Sequence, residues 1–280
     1  MIEIMIHASI LPQQQHCLQI CPGDRYDVRG RYSPGGRRPP RPVLSRIGSA
    51  SENWGWASGA TIREMRKETI VSKQFDKAYW EEHYRGRHSA GCQKRPNPQL
   101  VIEAGDLAPG TALDAGCGEG ADAIWLALRG WRVTAVDISS TALRRGREYS
   151  EALGADTESR IDWVQADLTS WRPSEEHFDL VAAHHVHTTA PREELVRRLA
   201  AAVAPGGTLL IVGHHPSDLP TDISHVSPAE AFFTAEEVVA SLDPVRWEIA
   251  VAEARTQSAT GHDGHEITMR DTVLRARKRS

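Results

Sequence analysis

Residues 111–139 read "TALDAGCGEGADAIWLALRGWRVTAVDIS" and place three glycines, Gly116, Gly118 and Gly120, within five positions. A glycine in such a turn is needed either for a positive φ or to let a ligand approach the backbone. The apolar run before the turn is typical of a strand, and the run after it is typical of a helix that stops at a glycine. The stretch therefore predicts a strand, a ligand-binding turn, a helix and a second strand.

The rest of the chain continues this alternation. Strands are predicted at "IDWVQADL" (161–168), "FDLVAAHHV" (178–186) and "TLLIVGHH" (208–215), with helix-length segments between them. The segment before the last of these predicts a helix that ends at a Pro-Gly-Gly sequence, residues 205–207. Strands separated by helices indicate parallel βαβ units and hence a doubly wound α/β sheet. Beyond them, Thr234 and Glu237 predict a capping box.

Two segments flank this repeating unit. Residues 75–86, "FDKAYWEEHYRG", predict an amphipathic lid helix with Phe75 and Tyr79 on one side and Glu81 and Glu82 facing water. At the other end, "RWEIAVAEAR" and "EITMRDTVLRAR" alternate like a closing antiparallel pair of strands.

Residues 1–70 differ in character from residues 71–280. They carry ten Lys/Arg against six Asp/Glu, whereas the remainder carries 23 against 31. Because "CPGDRYDVRGRYSPGGRRPPRP" lacks apolar periodicity, we predict a disordered basic extension over residues 1–70. A basic arm that contacts nucleic acid and a translation start at Met65 are the alternatives.

Composition narrows the function classes. A chain of 280 residues with 40% hydrophobic residues and a net charge of −4 is typical of a globular protein without a nucleic-acid or membrane partner. No apolar run approaches the roughly 18 to 20 residues of a membrane span. Because "MIEIMI" at the start is also too short and too acidic for a secretion signal, we predict a cytoplasmic location. The four cysteines lack the paired spacing of a zinc site and predict reduced thiols. No other ligand set with fixed spacing is visible, so we predict no metal.

The glycine turn alone fits two cofactors. Gly116, Gly118 and Ala121 satisfy the permissive dinucleotide fingerprint, and Asp137 follows about 20 residues on, where a carboxylate binds ribose hydroxyls. A nicotinamide-dependent oxidoreductase is therefore one interpretation.

Three further features together resemble the class I S-adenosylmethionine-dependent methyltransferase family. "LDAGCGEG" resembles the acidic first motif of that family, because Asp114 stands two residues before Gly116. "VQADL" ends a strand with Asp167, and "VAPGGTLLIV" (203–212) is similar to the Pro-Gly-Gly turn and fifth strand of the family. The resemblance covers roughly residues 75–278 of the predicted domain, residues 71–280. It implies a Rossmann-like sheet of seven strands in the order 3-2-1-4-5-7-6, with strand 7 antiparallel.

The resemblance also implies roles for individual residues. Asp137 would hold the ribose hydroxyls, Asp167 the adenine amine and Asp114 the methionyl end of S-adenosyl-L-methionine. The cofactor-binding residues implied in this way are Asp114, Gly116, Cys117, Gly118, Gly120, Asp137, Ile138, Asp167, Leu168, His184 and Trp80.

Histidines follow two neighbouring strands of the implied sheet. "AHHVHTT" follows the fourth strand and "GHHPSD" the fifth, and the carboxyl ends of both strands face the methyl group. An imidazole there can take the proton of the nucleophile that attacks the methyl carbon. Four histidines are the candidate catalytic bases: His185, His187, His214 and His215. Trp80 and Tyr84 of the lid helix are expected to close the pocket.

The sequence therefore predicts a methyltransferase that transfers a methyl group to an oxygen, nitrogen or sulfur nucleophile of a small molecule. Three alternative functions remain: a protein methyltransferase, a catalytically silent S-adenosylmethionine-binding module and a nicotinamide-dependent oxidoreductase. The motif typical of base-directed amino methyltransferases is absent after the fourth strand, which disfavours nucleic acid as the acceptor. Neither the acceptor itself nor an oligomeric state is encoded in a recognisable motif.

Overall fold

The computed structural model describes residues 24–26, 32–34, 75–86, 95–218, 231–260 and 266–280. Within these ranges the strands are β1 (Asp24–Tyr26), β2 (Tyr32–Pro34), β3 (Thr111–Ala115), β4 (Arg132–Asp137), β5 (Ile161–Gln165), β6 (Phe178–His184), β7 (Val203–His214), β8 (Trp247–Thr260) and β9 (Glu266–Lys278). The helices there are α1 (Lys77–Gly86), α2 (Pro98–Ala104), α3 (Ala121–Leu128), α4 (Ser140–Leu153), α5 (Ala155–Glu158), α6 (Arg192–Ala202) and α7 (Ala235–Val239).

Seven of the strands form one sheet in the order β5-β4-β3-β6-β7-β9-β8. Strand β9 runs antiparallel to both of its neighbours, and the other contacts in the sheet are parallel. Counted from β3 as the first strand, this is the predicted order 3-2-1-4-5-7-6 with an antiparallel seventh strand, so the predicted fold is confirmed. The carboxyl ends of β3 to β7 consequently lie along one edge of the sheet, where doubly wound folds bind their ligands.

Helices cover both faces of this sheet. On one face, α6 and α7 contribute Leu199 and Val238 to a buried cluster with the strands. On the other face, α2 and α3 contribute Leu100 and Leu126 to a second cluster. Because apolar burial stabilises a fold by roughly 25 cal/mol per Å², these two cores fix the strands and thereby the residues at their carboxyl ends.

Local signals in the sequence explain several element boundaries. The side chain of Thr234 accepts a hydrogen bond from the Glu237 N–H and the Glu237 side chain accepts one from the Thr234 N–H, which confirms the predicted capping box at the start of α7. At α4, the Ser139 hydroxyl caps the helix by accepting a hydrogen bond from the Ala142 N–H.

The predicted end of α6 is wrong by several residues. The helix stops at Ala202, and the Pro-Gly-Gly sequence lies inside β7 because Val203 already pairs with Phe178. Gly206 has a φ of +79°, and the pairing register shifts beside it. The Pro-Gly-Gly segment thus forms an irregularity within β7 and does not form the end of α6. Helix α2 was not predicted, although Asn97 caps it and Pro98 opens it.

The N-terminal part of the chain is described only at β1 and β2, which pair antiparallel with each other. Apart from these six residues, the predicted disordered extension over residues 1–70 and the alternative start at Met65 lie outside the described residues. Both stay predictions.

Candidate functional site

The glycine turn joins β3 to α3 through three left-handed residues. The φ angles of Gly116, Gly118 and Gly120 are +75°, +55° and +77°, a region that side chains other than glycine rarely adopt. At Gly120 a Cβ atom would lie 2.2 Å from the ring of Trp163. The turn therefore needs glycine for both its conformation and its packing, and it exposes backbone at the ligand-binding edge.

Asp137 ends β4 beside this turn and is 7% exposed. Its Oδ2 accepts the Gly118 N–H at 2.9 Å, and its Oδ1 accepts the Ser139 N–H at 2.8 Å. Burial raises the pKa of Asp137, and the two hydrogen bonds oppose that rise. The carboxylate is therefore held in one orientation against the glycine turn.

Asp114, on β3, is buried with Asp122 and His184 nearby. Burial and the neighbouring Asp122 raise the pKa of Asp114 to about 8, while His184 lowers it. In the described part of the chain, its Oδ2 has no hydrogen-bond partner. The His184 Nδ1 lies 2.7 Å from the Asp122 Oδ2. Burial alone would lower the pKa of His184, but Asp122 and Asp114 raise it. This group of acids can accommodate a cation.

The other predicted cofactor-binding residues lie along the same strand ends. Asp167 is exposed two residues beyond β5, and its Oδ1 accepts the Thr169 N–H at 2.8 Å. Leu168 is buried in the core, and Ile138 is half-buried with its carbonyl on the Gln165 side-chain amide. Burial raises the pKa of the Cys117 thiol, so Cys117 is a neutral side chain in the turn.

Helix α1 corrects one prediction about the lid helix. Glu82 faces water as predicted, but Glu81 is only 6% exposed. Its carboxylate accepts hydrogen bonds from the Ser140 N–H at 2.6 Å, the Ser140 hydroxyl at 2.8 Å and the Thr141 hydroxyl at 2.6 Å. Burial opposes ionisation, but these hydrogen bonds together lower the pKa of Glu81 to about 2. The Glu81 carboxylate, which the amphipathic pattern assigned to solvent, instead binds the first residues of α4.

This anchor holds α1 over the glycine turn. A Cβ atom on Gly118 would lie 2.7 Å from the Tyr84 hydroxyl oxygen, so Tyr84 lies directly against the turn. Tyr84 thus places the end of α1 against the glycine turn, and closure of the pocket by this helix stays a prediction.

We expect Glu81→Gln to weaken the docking of α1, because a neutral amide replaces a carboxylate that accepts three hydrogen bonds. Backbone amides of residues 77–86 should exchange with deuterium roughly 10-fold faster, since charge-assisted hydrogen bonds contribute about 1.5 to 3 kcal/mol. Glu82→Gln is the matched control, because its carboxylate makes only an exposed ion pair with Arg85 at 3.9 Å. Equal exchange in both variants would contradict the anchor.

Imidazoles from β6 and β7 meet at the neighbouring strand ends. The rings of His185 and His214 lie 4.6 Å apart, and those of His187 and His214 lie 5.6 Å apart at an interplanar angle of 10°. Trp80 of α1 stacks on His187 at 6.4 Å and 7°. The predicted approach of the two histidine segments is therefore present, and we call His185, His187, His214 and Trp80 the imidazole cluster.

The fourth candidate base lies outside this cluster. The His215 Nδ1 lies 2.9 Å from the Ser217 hydroxyl in an exposed turn. Within the cluster, burial and the neighbouring His214 lower the pKa of His187 to about 4 and hold that of His185 well below its usual value. Both rings are therefore neutral near pH 7 and can accept a proton.

Two residues of the site, Asp122 and Asp271, were not predicted from the sequence, and a third, Glu81, was assigned to solvent. Asp122 lies on a helix whose apolar face alone was analysed. Asp271 lies on β9 opposite His214 and is fully buried. A signal was present for Asp271, because it is an acidic residue close to the apolar residues Val273 and Leu274 of a predicted strand.

None of the helices in the described ranges is long and apolar enough to span a bilayer. Among the side chains with described positions, no group of three or more His, Cys, Asp or Glu residues is arranged to hold a metal ion. The predicted lack of a metal stays a prediction.

Comparison with known proteins agrees with this geometry. Residues 112–207 match the family model described as a methyltransferase domain. The chain is 36% identical over 121 residues to trans-aconitate 2-methyltransferase of Paracidovorax citrulli, which covers 42% of this chain and 44% of that protein. It is 33% identical over 143 residues to an uncharacterized methyltransferase of Mycobacterium bovis, covering 48% and 68%. With 2-heptyl-1-hydroxyquinolin-4(1H)-one methyltransferase of Mycobacteroides abscessus, the identity is 27%, covering 48% and 60%.

Solved structures share the fold. TehB from Haemophilus influenzae superposes with a TM-score of 0.53 at 20% identity, covering 71% of this chain and 67% of that chain. The YcgJ protein of Bacillus gives a TM-score of 0.51 at 14% identity, covering 65% and 97%. The aligned part of this chain thus spans between about half and two thirds of the curated relatives described above.

Proposed function

We propose that this protein transfers a methyl group from S-adenosyl-L-methionine to an oxygen, nitrogen or sulfur nucleophile of a small molecule. The chain belongs to the class I S-adenosylmethionine-dependent methyltransferase family, and the proposal proceeds from that membership. The observation that carries this proposal is the pair of buried carboxylates, Asp114 and Asp137, at adjacent strand ends on either side of the glycine turn. Two acids there suit a cationic sulfonium cofactor and oppose the pyrophosphate of a dinucleotide.

The unpartnered oxygen of Asp114 is a test of that fit. A buried polar atom without a partner costs free energy, and a ligand ammonium group placed against it would remove that cost. The Asp114 Oδ2 is such an atom within the described residues, and it lies beside the glycine turn. This oxygen could accept hydrogen bonds from the ammonium group at the methionyl end of the cofactor, so the site fits that group.

The other residues of the site are assigned to different parts of the cofactor. Asp137 binds the ribose hydroxyls, Ile138 covers the adenine ring, and Asp167 and the Leu168 N–H bind the adenine edge. The glycine turn, with Cys117, gives the methionyl part access to the backbone, and His184 and Trp80 border it.

The imidazole cluster acts on the acceptor. S-adenosyl-L-methionine supplies an electrophilic methyl carbon whose bonding electrons stay on sulfur when the bond breaks. An imidazole nitrogen takes the proton of the acceptor, and the acceptor's electron pair forms the new bond to carbon. The aromatic rings around the cluster exclude water and orient the acceptor. Relatives named for trans-aconitate and for a hydroxyquinolone support a small-molecule acceptor.

The experiment that tests this proposal has two stages. Calorimetry should detect binding of S-adenosyl-L-methionine and no binding of NADH, and the reverse result would favour the oxidoreductase. Protein and methyl-labelled cofactor are then incubated with trans-aconitate, with 2-heptyl-1-hydroxyquinolin-4(1H)-one, with 2-mercaptoethanol and with a cell-metabolite extract. Mass spectrometry should detect a labelled small molecule. Cofactor binding without any labelled product would favour the silent binding module, and label on protein would favour a protein methyltransferase.

Binding of the cofactor should release a proton from Asp114 near neutral pH. The pKa of Asp114 is raised to about 8, so the free protein carries this group largely protonated at pH 7. A cation beside the carboxylate favours the charged form and lowers that pKa. Affinity should therefore rise as the pH rises toward 8, and calorimetry in buffers of different ionisation enthalpy should detect up to about one released proton. Asp114→Asn should abolish the release, and a buffer-independent enthalpy in the unmodified protein would contradict the assignment.

A further inference from the structure

We propose that Asp271 of β9 positions His185 as the general base of the proposed methyl transfer, an inference that rests on the proposed function. The Asp271 Oδ1 lies 3.6 Å from the His185 Nε2, and the Asp271 side chain is fully buried. A buried carboxylate facing one ring nitrogen selects the tautomer that carries its proton there. The proton of His185 then lies on Nε2, and Nδ1 keeps its lone pair.

The other ring nitrogen of His185 is ready to accept. Within the described residues, the His185 Nδ1 is buried and makes no hydrogen bond. The ring lies 4.6 Å from that of His214, inside the imidazole cluster. An acceptor bound there gives its O–H, N–H or S–H proton to Nδ1 while its electron pair forms the bond to the methyl carbon.

The backbone of His185 supports a functional role. Its φ is +51°, one of two positive φ angles among the described residues other than glycine. The His185 N–H donates to the Val212 carbonyl at 2.8 Å, which holds this conformation at the end of β6. Residues in such sparsely populated conformations persist where surrounding structure fixes them, and they concentrate at functional sites.

A polar network orients Asp271 in turn. The side-chain amide of Gln99 on α2 donates to the Asp271 Oδ2 at 3.2 Å. Arg255 on β8 donates to the Gln99 Oε1 at 3.1 Å, which fixes which end of the Gln99 amide faces Asp271. Glu103 binds Arg255 at 2.6 Å. Arg255 also pairs with Glu253 at 2.7 Å, so it keeps a carboxylate partner when Glu103 is replaced.

Asp271→Asn tests the inference through the tautomer of His185. Because Gln99 donates to position 271, the amide oxygen of the new Asn should face Gln99, and its NH₂ should face the His185 Nε2. The ring proton should then move to Nδ1, and the base is lost. In ¹⁵N-histidine-labelled full-length protein, NMR correlations should assign the His185 proton to Nε2 in the unmodified protein and to Nδ1 in Asp271→Asn. Turnover of the acceptor found by mass spectrometry should fall at least about 100-fold, the scale of a lost general base, with unchanged affinity for S-adenosyl-L-methionine.

The matched control is Glu103→Gln, which removes a buried carboxylate from the far end of the network while Glu253 still holds Arg255 against Gln99. It should lower the melting temperature and leave the His185 tautomer unchanged. A proton on Nδ1 in the unmodified protein, or the same tautomer in Asp271→Asn, would overturn the inference. Because the tautomer is read without any acceptor, such a result is distinct from failure of the proposed function, which would appear as absent cofactor binding. If Asp271→Asn does not fold, Gln99→Leu releases Asp271 from its donor and should yield a mixture of the two tautomers.

Discussion

Replacing His185 with Gln is expected to lower turnover roughly 100- to 10,000-fold, because a positioned general base contributes that factor to a rate. The affinity for S-adenosyl-L-methionine should change little, since the residues proposed to bind the cofactor lie mainly on β3, β4 and β5. Steady-state kinetics with the identified acceptor and calorimetry with the cofactor measure the two effects separately.

The pH dependence gives a second test of the same variant. His184, His187, His214 and Asp271 surround His185, and burial together with the neighbouring imidazoles holds the pKa of His185 below its ordinary value of about 6.5. The rate of the unmodified protein should therefore stay constant through the pH range in which a free imidazole titrates and should fall only in more acidic solution, where the buried ring becomes protonated. His185→Gln should lose this inflection.

His215→Gln is the control for the His185 substitution. This histidine lies one residue beyond β7 but bonds Ser217 in an exposed turn, so turnover should stay within about twofold. If His185→Gln and His215→Gln both keep the turnover of the unmodified protein, no base is needed and the acceptor reacts already ionised. If His187→Gln alone loses activity, the base is a different member of the imidazole cluster.

The sheet could be predicted from the sequence because its determinants are local. Apolar runs, glycine stops and caps each act within a few residues, and the doubly wound topology follows from their alternation. The strand order additionally needed the resemblance to a family, since pairing between β9 and β7 joins segments far apart in the chain. The extended β7 was missed because a Pro-Gly-Gly sequence ends helices more often than it lies inside a strand.

The residues of the site differ in whether they could be predicted from the sequence. Asp137 ends a predicted strand about 20 residues after the glycine turn, a position that pattern identifies, whereas Asp114 was identified through the resemblance to the family. Glu81 and Asp271 act through contacts with residues 59 and 86 positions away, Ser140 and His185, and no local pattern encodes such a contact. Amphipathicity assigned Glu81 to water because helical periodicity shows which side is polar, not whether a polar partner covers it.

The distribution of acidic and imidazole side chains in the site matches the requirements of methyl transfer. The edge of the sheet concentrates the acidic side chains of Asp114, Asp122 and Asp137 near the glycine turn, while burial holds the pKa values of His185 and His187 below that of a free imidazole. A cation bound on the acidic side and a proton acceptor on the neutral side are the two requirements of methyl transfer from a sulfonium. The division follows from the fold, because β3, β4 and the start of α3 present the acids, whereas the histidines lie at and just beyond the ends of β6 and β7.

The strongest test of the acidic side is Asp137→Ala, which should weaken S-adenosyl-L-methionine binding by roughly 2 to 3 kcal/mol, or about 30- to 150-fold. The reason is that one carboxylate, fixed by the Gly118 and Ser139 N–H groups, would accept from both ribose hydroxyls. Since Ala also removes the support of the turn, Asp137→Asn is measured in parallel. It keeps the shape and should lose less affinity. Asp162→Ala, an exposed acid on the neighbouring β5, controls for charge alone. Calorimetry that finds the same dissociation constant in Asp137→Ala and the unmodified protein, with both folded by circular dichroism, would remove Asp137 from the cofactor site and with it the main physical support for the proposed donor.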